Sequence, residues 1–259
     1  MNELQTIEFE LLKCFIDVCE KLDLNYFLAR GSVIGALKYK GFIPWDDDID
    51  VAMTRKDYEV FLKLAQELLP ENIFLQNYHT DPNFPHNYSK LRNCDTTYIE
   101  KGVEHLKMNH GVFIDVFPID GYPKTKVKQF FYKYRKKFLA WQYFCALNDE
   151  EEPLRVRIRN KFFRLLGFHK RIYKAIGKLD SFVSKYPLED FSKQPENYFI
   201  NGAIQTEFEG ITVKIPKDYD AYLTYKYGDW RADLPKEQQA GHHYYTVCDL
   251  EKPYTEYIK

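Results

Sequence analysis

The stretch Ala29–Met53, ARGSVIGALKYKGFIPWDDDIDVAM, decides how this chain is read. It joins a Gly-Ser pair to a short helix-like run, then places four Asp within five positions. Taken as a strand, residues 46–53 put Asp46, Asp48 and Asp50 on one face, because strand side chains alternate with period two. Asp47, Ile49, Val51 and Met53 fall on the other, mostly apolar face, which suits a core. Two unit charges ~4 Å apart at an effective ε of ~20 repel by ~4 kcal/mol. Carboxylates crowded on one buried edge therefore need a counter-charge. A hard divalent cation with oxygen ligands, Mg²⁺ or Mn²⁺, supplies it.

Two plainer readings compete. A solvated acidic turn does not need Trp45 before it and Ile-Asp-Val-Ala-Met after it. A calcium loop finds its first, third and fifth ligands in Asp46, Asp48 and Asp50, with Asp57 at the twelfth place. Its sixth place is Val51, however, where that loop requires Gly, and the twelfth ligand is normally Glu.

The Gly-Ser pair adds an anion site. Residues 24–29 (LNYFLA) read as an apolar strand, Gly31-Ser32 follow, and residues 33–39 make one or two helical turns. Strand, Gly-Ser, helix start presents backbone N–H groups and a hydroxyl to an anion. A phosphate site beside a carboxylate–metal site is what phosphoryl or nucleotidyl transfer requires.

The run GSVIGALKYKGFIPWDDDIDVAM closely resembles the signature of the LicD family of phosphocholine transferases, related to the fukutin group. The likeness extends to KLRNCDTTYIE (90–100), GVFIDVFPID (111–120) and FEGITVKIPKDYDAYLTYKYGDW with its trailing LP and HH (208–243). One departure is Lys38-Tyr39, where the family often has Arg-His. The resemblance implies a nucleotidyltransferase-like α/β (α+β) fold, a small mixed sheet with flanking helices. It also implies transfer of phosphocholine, or a similar phospho-alcohol, from CDP-choline or a related CDP-alcohol. The acceptor would be a sugar hydroxyl of a lipid-linked cell-surface glycan or teichoic acid precursor, and CMP would leave.

Within that frame Asp46, Asp48, Asp50 and Asp115 are the expected metal ligands. Asp48, Asp50 and Asp115 are the expected catalytic set, with Asp115 as general base. Asp115 stands on a strand-like run among large apolar residues, where an unpaired carboxylate is costly; Asp120, just before Gly121, fits a turn instead. Gly31, Ser32 and Lys38 are candidates for phosphate oxygens. Lys90 and Arg92, two apart on a predicted strand, point the same way, toward substrate phosphates or toward solvent. A choline head needs an aromatic cage, and Trp45, Tyr227 and Trp230 lie near the matched motifs.

The 259 residues, 45% hydrophobic and 17% aromatic, allow one large core, and a net charge of −1 gives no polyelectrolyte signal for nucleic acid. Five scattered cysteines without a Cys-x-x-Cys read as reduced thiols. MNELQTIEFELLK has no basic n-region, so a cytoplasmic enzyme is expected, with peripheral contact on the inner membrane face. Leu4, Ile7, Leu11, Phe15, Val18 and Leu22 mark an amphipathic helix, with Glu3, Glu8 and Glu10 on its solvated face. Residues 55–69 make a second helix, residues 89–92 and 96–100 a hairpin, 211–215 a strand and 216–227 a helix. His242-His243 lack further zinc ligands at the right spacing and read as structural.

Residues 124–178 differ, with sixteen Lys/Arg against four acidic residues, interleaved with aromatics. Helices are expected at 126–147, 154–166 and 170–185. The chain thus reads as a single catalytic domain, 1–259, with a helical insertion at 122–195. That insertion could meet an anionic membrane or nucleic acid, or be a basic solvated face. Two other classes of function remain. A nucleotidyltransferase would use the same carboxylates and release pyrophosphate. A non-catalytic adaptor would have no use for Asp46–Asp50.

Overall fold

The computed structural model describes residues 1–121, 123, 125–134, 137, 147, 153–167, 198–241 and 244–258. Helix α1 (Glu3–Lys21) starts on a capping box in which Asn2 and Gln5 satisfy each other's backbone N–H groups. Its inward stripe of Leu11, Leu12, Phe15 and Val18 is buried against the sheet. Four further elements carry the opening motif: β1 (Phe27–Leu28), α2 (Arg30–Lys38), β2 (Asp50–Thr54) and α3 (Arg55–Leu64). The remaining core strands are β3 (Ile73–Gln76), β4 (Ser89–Asn93) and β6 (Val112–Ile119).

Together these make a mixed five-stranded sheet in the order β1-β2-β6-β4-β3. Only β2 and β6 are parallel; the other neighbours run antiparallel. The expected α+β architecture is therefore present. Two small antiparallel pairs flank it: β5 (Thr97–Glu100) with β9 (Tyr245–Asp249), and β7 (Ala203–Phe208) with β8 (Ile211–Pro216). Helix α4 covers residues 126–134, α5 is Leu154–Leu165 and α6 is Tyr219–Tyr227. The expected helix at 170–185 and His242-His243 lie outside the described residues, as does much of the span 135–152.

Several expectations need correcting. β2 begins only at Asp50, so Asp46–Ile49 are not strand and period-two alternation does not assign their faces. The reason is local. β1 offers only two residues for pairing, and its ladder starts at Leu28–Val51. Upstream, Asp46 N–H turns back to the Ile43 carbonyl, and the Gln5 side chain captures the Asp46 carbonyl at 3.0 Å. Residues 89–100 are not a hairpin either: β4 pairs with β3 and β6, while β5 leaves to join β9. Helix α3 ends at Leu64, passing into a 3-10 turn over Ala65–Glu67. Glu8 is not on a solvated face; it is only 2% exposed.

Candidate active site

The parallel pairing of β2 with β6 sets Asp50 directly beside Asp115. The joint is held from both sides, by Asp115 N–H donating to the Ile49 carbonyl and Ala29 N–H to the Asp50 carbonyl, each at 2.9 Å. Ser32, in the first turn of α2, accepts the Asp50 N–H at 2.8 Å. The hydroxyl read from sequence as a phosphate ligand thus accepts from the first N–H of β2. Asp50 and Asp115 are 4% and 3% exposed, and one oxygen of each, Oδ1, accepts no hydrogen bond. Two buried carboxylates side by side, each with an oxygen that accepts no hydrogen bond and has only a cation at 3.3–3.6 Å (Lys90 for Asp115, Arg30 for Asp50), are a costly arrangement for a bare protein and a fitting one for a bound cation.

Asp46, Asp47 and Asp48 gather in the loop just before β2, with carboxylate oxygens within 4.8 Å of one another. Asp47 therefore joins the cluster and does not pack with Ile49 and Val51. Two glycines make room. A Cβ on Gly31 would meet Asp46 Oδ2 at 3.0 Å, and one on Gly241 would meet Asp47 Oδ2 at 2.5 Å. Burial, then Asp48 and Asp47, push the Asp46 carboxyl up to about 8. Asp50 is pushed well above the carboxylate range by burial and Asp48, against the pull of Arg30. Glu8, reaching in from α1, is raised by burial and then by Asp48, Asp47 and Asp46. Its Oε2 is also buried without a hydrogen bond.

Arg30 is the residue that sequence reasoning missed. Its guanidinium lies 3.6 Å from Asp50 Oδ1 and stacks 3.7 Å above the Phe117 ring. Its backbone is left-handed, with φ +49°, and its N–H donates to the Tyr222 hydroxyl. The available signal was a cation immediately before Gly-Ser at the mouth of a helix.

The expected cations behave differently. Lys90 and Arg92 share a face of β4, but it is an interior face: they are 1% and 0% exposed. Lys90 bonds Glu100 at 2.9 Å and lies 3.3 Å from Asp115 Oδ1. Arg92 bonds Glu100, Gln76 and the Gly111 carbonyl. Burial alone would raise Glu100, but Lys90 and Arg92 outweigh it and hold it well below the usual carboxylate range. The pair is thus turned away from solvent, with Lys90 backing Asp115. Asp120 pairs with Arg55, in keeping with a structural turn.

A cleft of about 660 Å³ opens over the acidic loop. Arg30, Gly31, Asp46, Asp48 and Asp50 line one part of it, and Tyr39, Trp45, Tyr227, Trp230 and Tyr244 another. The three aromatics chosen from sequence are therefore brought to one cavity with the carboxylates. Lys38 also lines it, with its ammonium donating to the carbonyls of Arg231 and Ala232 and to Asp233, which ties α2 to the opposite wall.

A small mixed sheet with carboxylates on adjacent parallel strands, beside a cleft lined by both carboxylates and aromatic rings, defines an α+β protein with a buried acidic cluster at one cleft. The family model described as "LicD/FKTN/FKRP, nucleotidyltransferase domain" matches residues 23–146. The chain is 30% identical to the lipopolysaccharide cholinephosphotransferase LicD of Haemophilus influenzae, over 94% of this chain and 96% of that protein. It is 28% identical to an uncharacterised protein of Rickettsia prowazekii over 48% of this chain and 41% of the other. The chain belongs to the LicD family.

Proposed function

We propose that this protein is a transferase that moves phosphocholine, or a closely similar phospho-alcohol, from a CDP-activated donor to a sugar hydroxyl of a cell-surface glycan. The observation that carries this reading is the buried Asp50–Asp115 pair, an Oδ1 of each accepting no hydrogen bond, with Asp50 lining a cleft that Trp45, Tyr227 and Trp230 also line. The end-to-end likeness to a lipopolysaccharide cholinephosphotransferase supports the phosphocholine and the glycan.

Asp46, Asp48, Asp50 and Asp115 would hold Mg²⁺ or Mn²⁺. The bound ion would offset charge on the phosphate under attack and on the departing CMP. Arg30, at the cleft edge beside Asp50, offers a guanidinium to the diphosphate. Trp45, Tyr227 and Trp230 offer ring faces to a quaternary ammonium, which cannot be hydrogen-bonded and is held by the ring quadrupole. Asp115 would take the acceptor hydroxyl proton, with the Lys90 ammonium behind it to balance charge. Ser32 acts through Asp50, by fixing its backbone.

Product analysis tests the reading. With CDP-choline, Mg²⁺ and a glycan acceptor, CMP and a phosphocholine-bearing glycan are expected. Release of pyrophosphate from a nucleoside triphosphate, with no CMP from CDP-choline, would make the chain a nucleotidyltransferase instead.

A further inference from the structure

Helix α5 has the sequence LRVRIRNKFFRL, five cations and no acid. At 100° per residue its side chains divide into three sectors. Asn160 is buried, with Val156 and Phe163 half-buried on the same side, so this is the face packed on the protein. On the opposite side Leu154, Ile158, Phe162 and Leu165 form a stripe, 69%, 61%, 56% and 80% exposed. Arg155 and Arg159 flank that stripe along one edge, and Arg157 and Lys161 along the other.

Helix α4 repeats the pattern independently. Its sequence over 126–134, KVKQFFYKY, has three Lys and no acid. Tyr132 is buried and Gln129 half-buried beside it. Val127, Phe130, Phe131 and Tyr134 occupy the opposite sector and are all more than half exposed. Lys128 stands on one side of them and Lys126 and Lys133 on the other. The four acidic residues of this region, 149–152, fall between the two sequence ranges.

We propose that α4 and α5 dock this protein on an anionic lipid surface. An apolar stripe edged on both sides by cations is the form of a helix lying in a membrane interface, with its apolar face in the acyl boundary and its cations among the headgroups. The aliphatic members Leu154, Ile158, Leu165 and Val127 separate this from a nucleic-acid surface. There the exposed rings would stack on bases, and aliphatic side chains would contribute little. No helix among the described residues is long and apolar enough to cross a membrane. The inference goes beyond the transfer reaction, and its test needs no turnover.

The probe is sedimentation with vesicles of phosphatidylcholine, with or without phosphatidylglycerol. The full chain should sediment with the anionic vesicles at low salt and ignore the neutral ones. At 1 M salt the Debye length falls to ~3 Å from ~10 Å at 0.1 M, and partitioning should drop on the order of tenfold. Arg155→Gln with Arg157→Gln should weaken low-salt binding about tenfold. Ile158→Ser with Phe162→Ser should do so even where the charges remain. Both pairs are exposed and should melt with the parent, and Lys13→Gln with Lys21→Gln on α1 should bind as the parent does. No sedimentation at low salt would overturn the proposal, as would equal sedimentation with neutral vesicles. So would a mobility shift of a polynucleotide without vesicle binding.

Discussion

Asp50 is held by three neighbours at once: Ser32 fixes its N–H, Ala29 its carbonyl, and Asp115 stands beside it in register. Its side chain is then left with a buried oxygen that accepts nothing. Asp50→Asn removes an ionisable group whose charged form burial and Asp48 oppose, so the metal-free variant should melt no lower than the parent at neutral pH. Transfer activity should be lost in the same variant. Thermal melting in chelator beside an activity assay checks both; a variant that melts well below the parent would make Asp50 structural. Asp46 gives the pH dependence. Its carboxyl is raised to about 8 in the folded protein, against about 3.9 when unfolded. Between those values the folded state holds the extra proton. The contribution of Asp46 to stability without metal should therefore be fully present below about pH 4 and be lost as pH rises to about 8. Saturating Mg²⁺ should flatten that fall, because the ion takes the place of the proton; melting curves at several pH values, with and without Mg²⁺, read it directly. The acidic residues themselves were legible in the sequence because no bland alternative explains four carboxylates against an apolar strand. Arg30 and Glu8 were not, because a guanidinium beside Gly-Ser and a Glu on a helix flank become site groups only when the chain folds back on them.

At the scale of elements, β4 shows how a correct pattern can point the wrong way. The two-residue spacing of Lys90 and Arg92 does put them on one face. The spacing does not say which face is inside, and Glu100, brought over from β5, turns a cationic face into a buried network. Both cations also lie over the Phe113 ring, at 3.1 and 4.6 Å. Arg92→Leu would leave Glu100 short of a partner and the Gly111 carbonyl and Gln76 unsatisfied. A loss of about 3–5 kcal/mol is expected, the size seen when one member of a buried pair is removed. Urea denaturation would measure it; a loss under about 1 kcal/mol would mean that the network is not what holds β4 to β5 and β6. The acidic loop has the same lesson. Alternation assigned Asp46 and Asp48 to a strand, whereas Gln5 and the Ile43 carbonyl hold the chain in a turn there. The carboxylates still converge, and through that turn they reach the cleft that a straight strand would have left.

For the whole molecule, the helices, β6 and the α+β class followed from periodicity and from the family resemblance. The strand order did not, since β5 pairs with β9 from nearly 150 residues later, and no local pattern encodes a partner that distant. Long-range closure also brings Tyr227, Trp230 and Tyr244 to line one cleft with Trp45. In the proposed reaction this closure builds one site, in which the carboxylates would hold a divalent cation and the cation the donor. Calorimetric titration with CDP-choline tests it most directly, on the parent, on Asp50→Asn and on Asp115→Ala, with Mg²⁺ and with chelator. The account predicts binding by the parent only when Mg²⁺ is present, and at least a tenfold loss in Asp50→Asn. It also predicts that Asp115→Ala, which removes a ligand of the same ion, weakens donor binding as well as losing turnover. Equal binding by the parent in chelator, or by Asp50→Asn in Mg²⁺, would contradict it.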